Sequence, residues 1–169
     1  MQISLEEVHL KAGLAICSLA QKTEQRGRKN ADELKTSKGW IESAFGGSFV
    51  NVKKFLEAAE YYEIASNVII DEANKSFAMY QKGLLLEEIG ETSKAIDAYN
   101  AVNLDNEAYG SCVAMALTRC RAAESGNPMD FTNPTTIVAM MHAMMPELAD
   151  EMAQAMANAT QTQSSKIGP

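Results

Sequence analysis

Cys112 and Cys120 are eight residues apart in a stretch that reads as helix, so both thiols can face one side of it. A thiolate there would be a nucleophile or redox centre, but Val113, Met115, Ala116 and Leu117 make the setting apolar, and buried thiols in such settings are inert. His9 and His142 are the two histidines of the chain, and neither is near those cysteines in sequence. Paired acids occur at Glu87-Glu88 and at Glu147 with Asp150 and Glu151, all on predicted helices. Such pairs do acid–base or metal chemistry when their environment perturbs them, and otherwise form solvated faces. Gly46-Gly47-Ser48 lacks the lysine of a phosphate-binding loop. The third cysteine, Cys17, makes no CxxC pair, so no four-ligand zinc site can be read. The expectation is a chain that is not an enzyme, with no catalytic residues, metal or cofactor.

The elements that carry these residues belong to a chain of 169 residues, a length that suits one domain. Hydrophobic residues make up 46% and charged residues 22%, enough apolar surface for a core and too little bias for general disorder. A net charge of −7 argues against nucleic acid as the main partner, since phosphates call for Lys and Arg. Glu6 and Glu7 stand where a signal peptide would be basic or apolar. The most apolar window, Thr136 to Met145, contains His142, stops at Pro146 and is far short of the ~20 residues of a membrane span. With an odd cysteine count, these features point to a soluble protein of the cytoplasm.

The charge is uneven. Residues 1–54 carry a net +3 and residues 55–169 a net −10. Lys22, Arg26, Arg28, Lys29, Lys35 and Lys38 hold most of the basic excess, interleaved with Glu24, Asp32 and Glu33. That run is either a solvated connection between helices or a peripheral contact for an acidic partner or anionic membrane, centred on Lys22, Arg26, Arg28 and Lys29.

Nearly every segment reads helical, and none shows the alternation of a strand. Ser4 with Glu7 forms a capping box ahead of Leu5, Val8, Ala12, Ala15, Ile16 and Leu19, an apolar face, and Gly27 is a stop. A second helix is expected from near Asn30, with Leu34, Ile41 and Phe45 on one stripe, to Gly46-Gly47. A third runs from Ser48 or Asn51 to Ile70 on Val52, Phe55, Leu56, Ala59, Tyr62 and Ser66. A fourth runs from Asn74 to Gly90, a fifth from a Thr92 cap to about Asn103, and a sixth from Asp105 or Asn106 to Glu124. Asn133-Pro134 restarts the pattern and Pro146 divides it. The expected fold is all-α, an antiparallel helix-hairpin array of seven to eight helices. Residues 1–47 form a helical pair with a basic connection, 48–124 helical repeats, 125–159 Met-rich capping helices and 160–169 a disordered tail.

Ala58, Tyr62 and Ala65 recur 37 residues later as Ala95, Tyr99 and Val102. The small residue lets two helices approach and the aromatic fills the wedge to the next pair, which is how a solenoid buries its core. Ser76 to Asn106 resembles a tetratricopeptide repeat: Gly83 on the first helix, Gly90-Glu91 at the turn, Ala95, Tyr99 and Val102 on the second, and Leu104-Asp105-Asn106 near the family's Leu-Asp-Pro ending. Gly39-Trp40 before Phe45 to Ser48, Glu57 to Glu63, and Gly90-Glu91 through Leu104-Asp105 are also similar to the SNAP adaptors of SNARE disassembly, although those chains are much longer and end in an acidic tail, where this one has Ser164 to Pro169. In size, acidity and repeat the chain further resembles the tetratricopeptide chaperones of type III secretion.

These resemblances imply a concave groove lined by Phe77, Tyr80, Leu84 and Glu87 of the fourth helix, with Tyr61 and Tyr99 secondary. The same apolar residues also suit a core. Tyr80 and Leu84 stand where carboxylate-clamping relatives carry Lys and Asn, so the groove suits an apolar or basic peptide, such as an amphipathic helix. Six of ten methionines lie at Met140, Met141, Met144, Met145, Met152 and Met156. Met141 and Met145 share a helical face that either caps the open end of the stack or binds a partner. The expected function is a protein-binding adaptor or chaperone, with a trafficking adaptor, a secretion chaperone or a structural subunit as alternatives.

Overall fold

A computed structural model describes residues 3–29, 39–43, 48–126 and 145. Helix α1 spans Leu5–Gly27 and runs directly into strand β1, Arg28–Lys29. Strands β2, Trp40–Glu42, and β3, Phe49–Asn51, follow, and then helices α2, Val52–Val68, α3, Glu72–Glu88, α4, Thr92–Asn100, and α5, Gly110–Glu124. The chain divides into two compact units, Met1–Val113 and Ala114–Pro169. In the first, α1 packs on α2, α2 on α3 and α3 on α4. The short turns between α2, α3 and α4 make those neighbours antiparallel. In the second, α5 buries Ala116, Leu117 and Cys120.

Local chemistry sets the helix starts. The Ser4 hydroxyl accepts from the Glu7 amide at 3.2 Å, Asn51 from the Lys54 amide at 3.1 Å, and Asp71 from the Asn74 amide at 2.9 Å. Thr92 is the first residue of α4 rather than its cap, because Glu91 takes the cap position without a side-chain bond. Gly90 closes the α3–α4 turn at φ +82°, a left-handed conformation that a side chain resists. Before α5, the Asn106 side chain accepts from the amides of Ala108 and Tyr109, so the helix begins at Gly110, later than its expected start.

Two expectations are corrected. Among the described residues there are five helices, not seven to eight, and Trp40–Glu42 is a strand where a helix was expected. β3 is the central strand of a small antiparallel sheet, with Val50 opposite both Arg28 and Ile41. Strands of two and three residues are too short to show alternation in sequence. The helices expected within 133–159 and the tail from 160 lie outside the described residues.

A further correction concerns α1. Leu5, Val8, Ala12, Ala15 and Leu19 are exposed, and the buried residues are Gly13, Cys17, Ala20, Thr23 and Gly27. A Cβ on Gly13 would lie 2.1 Å from Ile69 Cγ1, and one on Gly27 would lie 3.0 Å from Lys54 Cβ and Phe55 Cδ1. The approach to the neighbouring chain is too close for large side chains, so small residues take the inner face. The aromatic repeat is buried as expected: Ala58, Tyr62, Ala65, Ala95, Tyr99 and Val102 are all in the core.

Candidate functional site

Helix α3 positions the four expected groove residues, and all four are half-buried. They share one face of the helix at intervals of three, four and three but meet different neighbours. Phe77 meets the Tyr62 ring edge-on at 6.4 Å and lies 6.1 Å from the Tyr109 ring. Tyr80 packs on Tyr109 at 5.5 Å and on Tyr99 at 6.1 Å. Tilted rings at these separations are in the favourable range for aromatic pairs. Tyr109 thus joins the pair from outside the helix, and nothing in its local sequence marks it.

Glu87 turns toward α4 and accepts from the Tyr99 hydroxyl at 2.8 Å. Leu84 lines a cleft of about 240 Å³ together with Glu24, Arg28, Ser43, Ser48, Gln81, Leu85 and Glu88. Tyr61 is half-buried on α2, and Met141 lies outside the described residues, whereas Met145 is exposed.

The cleft is organised by a part-buried ion network, centred on the buried Glu88, that the sequence concealed. Arg28 donates to both oxygens of Glu88 at 2.7 and 2.8 Å, and to Glu24 at 2.8 Å. Its guanidinium also lies 4.8 Å from the centroid of the buried Phe55 ring. Ser43 adds a short hydrogen bond from its hydroxyl to Glu88. Burial pushes the Glu88 carboxyl up, but the hydrogen bonds from Arg28 and Ser43 and the Arg28 charge outweigh it and hold the carboxyl below its ordinary range. The bond to Glu88 in turn raises Arg28, against the opposing effect of burial. Of the basic residues expected to form a surface contact, Lys22, Arg26 and Lys29 are exposed, whereas Arg28 is engaged in this network.

The remaining chemistry-bearing residues have structural surroundings. Cys17 and Cys120 are buried, Cys112 is half-buried, and burial pushes the Cys17 thiol up. The His9 Nδ1 lies 3.0 Å from the Val68 carbonyl oxygen, which can only accept, so this nitrogen carries the proton and ties α1 to the end of α2. Tyr62 and Ser76 have buried hydroxyls without a hydrogen-bond partner among the described residues. Burial, followed by the charges of Glu24 and Cys17, keeps the Tyr62 phenol protonated beyond its ordinary range. Among the described residues, no group of three or more His, Cys, Asp or Glu could hold a metal ion, and no helix is long and apolar enough to cross a membrane.

Compared with known proteins, the chain matches no protein-family model, no curated protein and no solved structure.

Proposed function

We propose that the chain is a non-enzymatic protein-binding module, an adaptor or chaperone of tetratricopeptide-like build, that holds an apolar or amphipathic helical peptide on the face made by α3. The observation that carries this reading is the juxtaposition on one helix of a half-exposed aromatic group, Phe77 and Tyr80 with Tyr109, and the Leu84 wall of a cleft rich in carboxylate. Aromatic anchors beside a polar rim are the usual make-up of a binding hot spot. Glu24 and Glu88 face one Arg28 in that cleft, so the charge balance favours a peptide with basic residues at its edge over an acidic one. The hairpin of α3 and α4, closed by Gly90 and wedged by Tyr99 against Gly83, supports the tetratricopeptide-like build.

Selection of peptides from a random display library on the full chain tests it. Enriched sequences should combine aromatic or aliphatic anchors with Lys or Arg. Tyr80→Ala and Leu84→Glu should each weaken the selected peptides about tenfold or more, the loss of one hot-spot contact. Thermal melts of both variants separate lost binding from lost folding. Failure to enrich any sequence, or equal binding by folded variants, would overturn the reading.

A further inference from the structure

The cleft beside Leu84 holds more polar groups than its own network uses. Arg28 gives both of its bonds to Glu24 to one oxygen, Oε1, at 2.8 and 3.3 Å, and among the described residues nothing bonds Oε2. The Gln81 amide and the Ser48 hydroxyl line the same cleft, and their side chains also make no hydrogen bond among the described residues. Glu88 is different. Arg28 holds both of its oxygens and Ser43 adds a third bond, so this carboxylate is committed to the fold. Three acceptors on three different segments therefore converge on one cavity without a partner, beside the apolar wall of Leu84 and Leu85.

We propose that this cleft seats one arginine side chain of the peptide, its guanidinium on Glu24 Oε2, Gln81 and Ser48 and its methylene stem along Leu84. The assignment rests on the peptide-binding reading of α3 and names the residue that the cleft selects. Charge chooses the sign. Glu24, Glu88 and Arg28 are the ionisable groups of the lining, so two carboxylates face one guanidinium and leave one negative charge to be matched. Size chooses a side chain. The cleft of about 240 Å³ is smaller than the roughly 300–1,000 Å³ of sites that enclose whole small molecules. Donor geometry chooses arginine over lysine. A guanidinium spreads its N–H groups over three nitrogens and is more weakly hydrated than an ammonium, so it reaches separated acceptors at a lower desolvation cost. Gln81 and Leu84 lie within about one turn of Tyr80 on α3, so a peptide anchored on the aromatic group reaches the cleft. Glu24, with 21% of its side chain exposed, is then the specificity-determining carboxylate, and Glu88, at 6%, positions Arg28 behind it.

Titration of the isotope-labelled full chain with Nα-acetyl-arginine amide, followed by amide NMR shifts, tests the seat. Saturable shifts should centre on the cleft and include the Gln81 side-chain amide and Leu84. The citrulline analogue, alike in shape but uncharged, should bind about tenfold or more weakly, the loss of a charge-assisted contact. The lysine analogue should also bind more weakly. Glu24→Gln should reproduce the citrulline loss with an unchanged thermal melt, since Arg28 keeps Glu88. Gln81→Leu removes no hydrogen bond of the fold, carries the test if Glu24→Gln misfolds, and should weaken the arginine analogue about twofold to tenfold. No saturable shift at the cleft, equal binding of the citrulline or lysine analogue, or folded variants that bind as the parent does would overturn the proposal. Seating of the arginine analogue with no displayed peptide enriched would support the seat and overturn the α3 reading. Displayed peptides that still bind after every arginine is replaced by citrulline would overturn the seat and leave that reading standing.

Discussion

The ring of Tyr99 lies against Gly83, so near that a Cβ on Gly83 would sit 2.3 Å from Cε1 and 2.5 Å from Cδ1. Tyr99 is fully buried, and its hydroxyl is held by Glu87 at 2.8 Å, one turn of α3 further on. The ring is therefore fixed at both ends, and α3 and α4 approach only because position 83 has no side chain.

Gly83→Ala should destabilise the protein. Helix propensity alone favours alanine by about 1 kcal/mol. Overpacking a buried ring costs about 1–3 kcal/mol, so the net loss should be up to about 2 kcal/mol. Urea denaturation checks this. Tyr99→Phe, which keeps the ring and removes the bond to Glu87, should cost only about 0.5–1.5 kcal/mol. A stabilised Gly83→Ala variant would show that the hairpin is looser than this contact implies.

Gly110→Ala should be worse tolerated. Its added Cβ would lie 2.1 Å from the carbonyl oxygen of Leu104, a backbone atom that cannot rotate away. Relief requires the turn at 104–110, held by the Asn106 side chain, to open. The expected loss is at the upper end of the range for overpacking, about 3 kcal/mol, visible as a lower urea midpoint. Gly13→Ala meets the Ile69 side chain instead, so it should cost less in an Ile69→Ala background, which removes both Cγ1 and Cδ1, whereas no side-chain change near Gly110 should rescue Gly110→Ala.

These glycines show what the sequence disclosed and what it withheld. Gly27 and Gly90 were legible as stops, and Ser4 as a cap, because a helix end is set by residues within one turn of it. The burial of Ala58, Tyr62 and Ala65, and of Ala95, Tyr99 and Val102, was legible because residues three and four apart share one face of a helix. The inner face of α1 was not. Hydrophobicity pointed to the Leu and Val side, but how closely α1 approaches its neighbours is decided by tertiary contacts such as Gly13 with Ile69. Arg28 and Glu88, 60 residues apart, meet only because β1 leaves α1 next to the end of α3. Nor did any local pattern connect Tyr109 to Phe77 and Tyr80.

The Arg28–Glu88 pair should make stability depend on pH. Glu88 is harder to protonate in the folded chain than in the unfolded one, whose carboxyl has its ordinary value near 4.5. The network therefore contributes fully above that value, and its contribution falls as the pH drops below 4.5 through the lower folded value. Glu88→Gln should cost about 1–3 kcal/mol at neutral pH, because it removes a buried, doubly bonded carboxylate while Arg28 keeps Glu24. Urea midpoints measured from neutral pH down to acid should fall less steeply for Glu88→Gln than for the parent. Parallel curves would mean that Glu88 does not titrate differently on folding.

Thiol labelling bears on whether any cysteine does chemistry. Cys17 is 3% exposed and burial pushes its thiol up, and Cys120 is 1% exposed. Both should react with an alkylating reagent only when the chain opens, so their labelling should accelerate sharply with denaturant. Cys112 is half-buried on α5 and should be the first labelled in the native state. Mass spectrometry of peptides after timed alkylation gives the order. A native Cys17 labelled faster than the same cysteine in unfolded chain would require an activated thiolate, which burial without a cationic neighbour opposes, and would overturn the non-enzymatic reading at that position.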